Sequence, residues 1–245
     1  MATSDIVSLT GIVMRVTAVK DHDAMVFCIG EEGFFSFYAH GGKKMTSPFS
    51  SSLILFTLGT YILRKSSSGS LTLKEVSKSE PLVSLEAPLE QMACATCLAE
   101  IITKIVQEED AKAVYPYIYG AFRTLKEGKD PLTASLICFA HILSISGFEL
   151  DVSECVSCGN KEHIVACSYQ DGGFLCSNCA QENYVEQTPL IQLKILRYIF
   201  KAPISDYGRV SLEILPAKRV FMDLGHYVHE LTGVELKSIS FLSSI

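Results

Sequence analysis

The sequence lacks the marks of several large function classes. No apolar run is long enough to cross a bilayer, because the longest, from Leu53 to Leu63, is interrupted by Thr57, Gly59 and Thr60. The opening residues, MATSDIVSLTGIV, carry no basic segment ahead of a long apolar one, so no secretory signal is visible. There is no Walker A loop, no H-E-x-x-H, and no H-x-E ahead of a P-C-x-x-C. These gaps argue against a nucleotide hydrolase, a metalloprotease and a zinc deaminase, and no enzymatic activity is expected. Nor is the chain basic overall, with 21 Lys and Arg against 27 Asp and Glu and a net charge of −6. What it has is 48 % hydrophobic content, ample for a core, and nine cysteines. Nine cysteines without a signal point to a reducing compartment, the cytoplasm, and to metal rather than disulfides.

Four of the cysteines stand in the stretch ECVSCGNKEHIVACSYQDGGFLCSNCAQ, from Glu154 to Gln181. Cys155 and Cys158 form one C-x-x-C pair, Cys176 and Cys179 a second, with seventeen residues between them. That spacing suits two knuckles on a hairpin that present four thiolates to one zinc ion, Zn2+. Gly159-Asn160 and Asp171-Gly172-Gly173 supply the turn chemistry. Four protein thiolates leave no coordination position for water or substrate, so the zinc reads as a staple. Cys94 and Cys97 also read C-x-x-C, but with no second pair they read as small core residues of a helix.

The charge is unevenly spread. Residues 1–80 carry eight Lys or Arg and seven Asp or Glu, while the remainder carries 13 against 20. A polyanion would therefore meet the first segment. Five strand-like runs fall in it: Ser8 to Val19, Met25 to Gly30, Gly33 to Ala39, Leu53 to Lys65 and Leu71 to Ser79. Five short strands in about 80 residues match an OB-fold barrel, a scaffold that commonly binds oligonucleotides. Arg15, Lys20, Lys43, Lys44, Arg64 and Lys65 are the candidate DNA-binding cations. Alternation sets Phe35 and Phe37 on one face of the third strand and Phe34 with Tyr38 on the other. Either one set fills the barrel and the other stacks bases, or all four are packing residues.

Pro81 to Pro88 breaks the strand pattern, and helical periodicity follows. The expected division is 1–80 and 81–245, with the zinc hairpin inserted at about 151–183. Helices are expected over Pro88 to Gln107, Tyr115 to Leu125, Pro131 to Ser146, from Thr188-Pro189 to Phe200, and from about Pro216 to Leu231. Asp130 and Pro131 read as a helix start, and Gly147 and Gly233 as helix ends. The fold class is thus α+β, a five-stranded OB-fold barrel followed by an α-helical domain with an inserted four-cysteine zinc hairpin. Lys194, Arg197 and Lys201 form a basic stripe at i, i+3 and i+7, which is either a solvated face or a binding face.

Element order and local motifs together resemble the RecO family of bacterial recombination mediators. GIVMRVTAV resembles its opening strand, AHGGKK (Ala39 to Lys44) its A-R-G-x-R-K loop, and AKRVFMDLGHYVHELTGVELKSISFL its last helix and tail. His40 stands where the family often has arginine and Gly42 precedes the lysines, which thins the charge of the loop. The resemblance implies a non-enzymatic, cytoplasmic, nucleoid-associated protein with no membrane contact. Such a protein binds single- and double-stranded DNA, anneals complementary strands, and helps RecA load on SSB-coated DNA with RecR and in many bacteria RecF. It also implies that the helical domain binds the acidic, apolar C-terminal tail of SSB. Arg219, Met222 and His226, at i, i+3 and i+7 with Lys218 beside them, offer a surface for it, and Phe122 and Arg123 would complete a groove if their helices pack side by side. The alternative is an adaptor whose zinc hairpin binds only protein.

Overall fold

The computed structural model describes residues 5–19, 21–44 and 46–244. Strands β1 (Asp5–Ala18), β2 (Ala24–Gly30), β3 (Gly33–Ala39), β4 (Thr57–Lys65) and β5 (Leu71–Pro81) close a barrel in the order β1-β2-β3-β5-β4. This is the OB-fold expected from the strand count. β1 is long because it serves two neighbours: Asp5 to Ile12 pairs with β4, and Ile12 to Ala18 pairs with β2. A bulge between Val13 and Arg15 bends it from one to the other. β3 and β5 meet in a single parallel pair, Tyr38 with Thr72, which closes the barrel. Phe37, Tyr61, Leu63, Val26 and Leu73 fill the interior. The fourth strand starts later than the apolar run suggests, because Ser50–Leu53 forms a 3-10 turn and Phe56 holds a positive φ of 66° before β4 begins.

The helical part comprises α1 (Leu89–Ile105), α2 (Ala111–Lys126), α3 (Pro131–Ile145), the short α4 (Ser177–Glu182), α5 (Leu190–Lys201), α6 (Ile214–Thr232) and α7 (Lys237–Ser244). α3 is apolar all round and lies in the middle, packed on α1, α2, α5 and α6. Its start is as expected: the Asp130 carboxylate accepts from the Leu132 and Thr133 amides at 3.0 and 3.1 Å, with Pro131 in the first turn. Gly233 ends α6 at φ 71°. α2 begins four residues before the expected Tyr115 and so contains Pro116. Lys112 and Pro116 are both exposed, so the carbonyl that Pro116 leaves without a helical partner is open to water.

Barrel and helices share one core. Ile12, Met14, Ile29 and Phe56 from the barrel join the helical cluster, where Phe56 meets Phe122 with ring centroids 5.6 Å apart. Each large side chain removed wholly from water contributes about 1.5–3 kcal/mol, so this seam holds the two parts together. Strands β6 (Ile164–Ser168) and β7 (Gly173–Cys176) form the separate hairpin that carries the cysteines.

Candidate metal centre and nucleic-acid face

The sulfur atoms of Cys155, Cys158, Cys176 and Cys179 all lie within 4.8 Å of one another. A metal about 2.3 Å from each of four tetrahedral sulfurs would set them about 3.8 Å apart. The Cys158 and Cys176 sulfurs are 3.7 Å apart. Local backbone chemistry builds the cup: Cys155 N–H donates to the Asn160 carbonyl and Gly159 N–H to the Cys155 carbonyl, each at 2.8 Å, and Gly159 turns at φ +73°. The second knuckle is the end of β7 running into α4, with Ser177 N–H donating to the His163 carbonyl. Burial, the largest influence, pushes the Cys155 thiol up, but hydrogen bonds from the backbone of Cys176, Cys158 and Ser157 outweigh it and bring it down to about 6. The donor set fits a metal ion that prefers soft ligands, and all four positions are filled by protein.

The turn end of the hairpin is tied into the bundle. Phe174 and Cys167 belong to the large core, Val156 N–H donates to the Phe174 carbonyl, and Arg197 of α5 donates to the Val152 carbonyl at 3.0 Å while its guanidinium lies over the Phe174 ring. Arg197 is therefore a structural clamp, while Lys194 and Lys201 of the same stripe are exposed. Cys94 and Cys97 are buried in α1, and burial pushes the Cys97 thiol up to about 11.

Of the six cations expected on the barrel, Lys20 lies outside the described residues. The other five are exposed. Strand register places Arg64 in an outward-facing row. A row of cross-strand partners runs Thr17, Met25, Tyr38, Thr72, Arg64, Ile6 around the barrel. Their chain neighbours Phe37, Ala39, Leu63 and Leu73 point inward, so the row points out. Arg15 stands beside the row, its guanidinium 5.2 Å from the Phe27 ring centroid. Lys65 follows Arg64 at the head of the β4–β5 turn. Lys43 and Lys44 leave the end of β3, where Lys43 N–H donates to the His22 carbonyl of the β1–β2 loop. Gly41, at φ +61°, makes that turn. The cations thus come from β1, from the end of β4 and from the β3–β4 connection.

The aromatics of β3 are divided by what covers them. Phe35 and Phe37 pack in the barrel, as the alternation predicts. Phe34 is not free for bases: it packs on Phe27, ring centroids 4.9 Å apart, against the helical core. Tyr38 remains on the outer face.

The expected partner groove needs correction. Phe122 is wholly buried and cannot line a surface. Arg123 is held by Glu80 of β5 at 3.1 Å, with Lys126 on the same carboxylate. α3 lies between α2 and α6, so Phe122 and Arg123 do not join the α6 residues. On α6 itself Met222 and His226 line a cleft against α7, together with Gly225, His229, Leu236 and Ile239. Arg219 is exposed one turn earlier and pairs with Asp223 at 3.0 Å, while Lys218 is half-buried. The α7 wall of the cleft is a part sequence reasoning missed; the apolar spacing of Leu236, Ile239 and Leu242 was its signal.

The molecule is thus an OB-fold barrel fused through a shared core to a helical bundle, with a four-cysteine cluster that leaves a bound metal no open position. The family models described as Recombination protein O N terminal and Recombination protein O C terminal match residues 1–82 and 87–238. Similar proteins include one from Bacillus pumilus, 29 % identical over 241 residues that cover 96 % of this chain and 93 % of the relative. Another, from Bacillus cereus, is 28 % identical over 238 residues, 96 % of each chain. Both are named DNA repair protein RecO. The chain belongs to the RecO family, and its role lies in DNA repair.

Proposed function

We propose that the protein is a non-enzymatic recombination mediator. It binds single- and double-stranded DNA on the outer face of the barrel, anneals complementary strands without a nucleotide, and assists RecA loading on SSB-coated DNA together with RecR and, where present, RecF. The division of labour follows the two segments: residues 1–80 hold DNA, and residues 81–245 hold protein partners and a structural zinc ion on Cys155, Cys158, Cys176 and Cys179. The observation that supports this reading is the exposure of Arg15, Lys43, Lys44, Arg64 and Lys65 on an OB barrel in a chain of this family. A basic face that binds two strands raises their local concentration and screens their repulsion, which is sufficient for annealing. The α6–α7 cleft, with Met222 and His226 on its wall and Arg219 and Lys218 above it, is the proposed seat of the SSB tail. The cytoplasmic, nucleoid-associated setting follows from the role; no helix among the described residues is long and apolar enough to cross a membrane.

A second reading, a protein adaptor working through the hairpin, has one observation in its favour. Residues 149–186 carry seven acidic residues and one lysine, and six of those acids are exposed, so the hairpin repels DNA. One experiment separates the two: binding and annealing of labelled oligonucleotides by the purified protein across a salt series. A mediator binds, with log K falling as log salt rises, and anneals strands faster than they anneal alone. An adaptor does neither.

A further inference from the structure

Tyr38 is the one aromatic of β3 that neither core uses. Its chain neighbours Phe37 and Ala39 are buried in the barrel, so its ring stands on the outer face. Met25, 40 % exposed, is its partner on β2, and Thr72 its partner on β5. Arg64 pairs with Thr72, which puts it two strand spacings, about 10 Å, from Tyr38. Lys43 and Lys44 leave the end of Tyr38's own strand. The ring therefore shares a row with Arg64 of β4, and the connection that follows its own strand carries Lys43 and Lys44.

Its position is set in advance. The Tyr38 hydroxyl donates to Asp23 Oδ2 at 2.5 Å, and the same carboxylate accepts from Gly41 N–H at 2.7 Å. The His40 ring meets Tyr38 edge-on with centroids 4.6 Å apart. An aromatic already held in place gives up little side-chain freedom when a ligand covers it. A planar ring flanked by phosphate-binding cations suits an unpaired base, since every base has a π-face. A base inside a duplex is already stacked on its neighbours and is not available to it.

We propose that Tyr38 is the base-stacking residue of this barrel, and that the face therefore binds single strands in preference to duplex. This rests on the reading that the barrel binds DNA. No part of the ring's role depends on sequence readout: the stacking is indifferent to base identity, and the cations touch only phosphates.

The chain contains no tryptophan, so Tyr38→Trp installs a single fluorophore at the site. Tyr184→Trp, at a position 95 % exposed on the far hairpin, is the control. Both are titrated with oligothymidylate and with a duplex, while anisotropy of a labelled oligonucleotide reports binding independently. Emission from the Tyr38→Trp protein should be quenched in step with single-strand binding and much less by duplex, and emission from the control should not move. In a second variant, Tyr38→Leu should lower single-strand affinity on the order of tenfold with an unchanged salt slope and little change for duplex. Single-strand binding that leaves the Tyr38→Trp emission unmoved overturns the stacking role while leaving DNA binding intact. So does parent-like single-strand affinity in Tyr38→Leu, or an equal loss for single strand and duplex. If the parent protein binds no DNA at any salt concentration, the underlying reading fails and the stacking role falls with it.

Discussion

The Glu100 carboxylate holds the start of α7 to α1. It accepts from the Lys237 amide at 3.1 Å, the Ser238 amide at 2.7 Å, the Ser238 hydroxyl, and Lys104 Nζ at 2.6 Å. Burial, the largest single influence, pushes this carboxyl up, but the bonds from Lys104, Ser238 and Lys237 together hold it below its ordinary value. A depressed folded-state value means the group stabilises the fold above the ordinary carboxylate range and loses that contribution as pH falls through it. Glu100→Gln should therefore cost about 1–2 kcal/mol at neutral pH, and urea unfolding should show the gap from the parent closing in acid. Phe122 belongs to the same scale. As a core residue packed on Phe56, it should cost about 3–5 kcal/mol on replacement by Ala, read as a lower unfolding midpoint. A groove residue would instead lower peptide affinity and leave the midpoint alone. Lys43→Ala with Lys44→Ala should weaken binding to all DNA sequences alike. It should also flatten the salt slope by roughly 0.7–0.9 for each phosphate that is no longer neutralised. Parent-like binding at every salt concentration would make the loop a solvated turn.

At the scale of an element, the hairpin is fastened at both ends by different means. Its turn end is held by Phe174 in the bundle core and by Arg197, and its open end by the four thiolates. Metal binding to such thiolates contributes folding free energy on the order of 10 kcal/mol in isolated zinc peptides, but here that energy acts only on the knuckle end. Chelation, or Cys155→Ser with Cys176→Ser, should release one zinc per chain. Amide exchange should then speed up around the two knuckles and leave the barrel, α3 and the Phe174 region protected. Retention of zinc by the double variant, or loss of protection throughout the bundle, would contradict this division.

At the scale of the molecule, the barrel and bundle are joined by Ile12, Met14, Ile29 and Phe56, with Phe27 and Phe34 packed beneath the helices. Neither part can unfold without exposing this seam. Thermal unfolding of the metal-bound protein should therefore give one transition with matching calorimetric and van't Hoff enthalpies; two resolved transitions would show that the seam is weaker than its burial implies. Charge is arranged at the same scale. Residues 1–80 carry eight Lys or Arg and seven Asp or Glu while the hairpin is acidic, so the net −6 is a poor guide to what the barrel meets.

The sequence by itself determined whatever depends on local spacing. Two C-x-x-C pairs carry their own knuckle geometry, and the sulfurs converge because each pair and its turn are written in a few adjacent residues. Alternation within β3 already separated Phe35 and Phe37 from Phe34 and Tyr38, and Asp130-Pro131 already marked the start of α3. Periodicity names the apolar side of an element, but not the neighbour that covers it. Only the tertiary structure decided that Phe34 goes under the helices while Tyr38 stays out, because that depends on how far the bundle reaches along the barrel. It alone placed α3 between α2 and α6, which separates Phe122 and Arg123 from Met222 and His226. The approach of Arg64 to Tyr38 likewise has no local signal: it arises from one parallel pair between residues 34 positions apart, Tyr38 and Thr72, where the barrel closes.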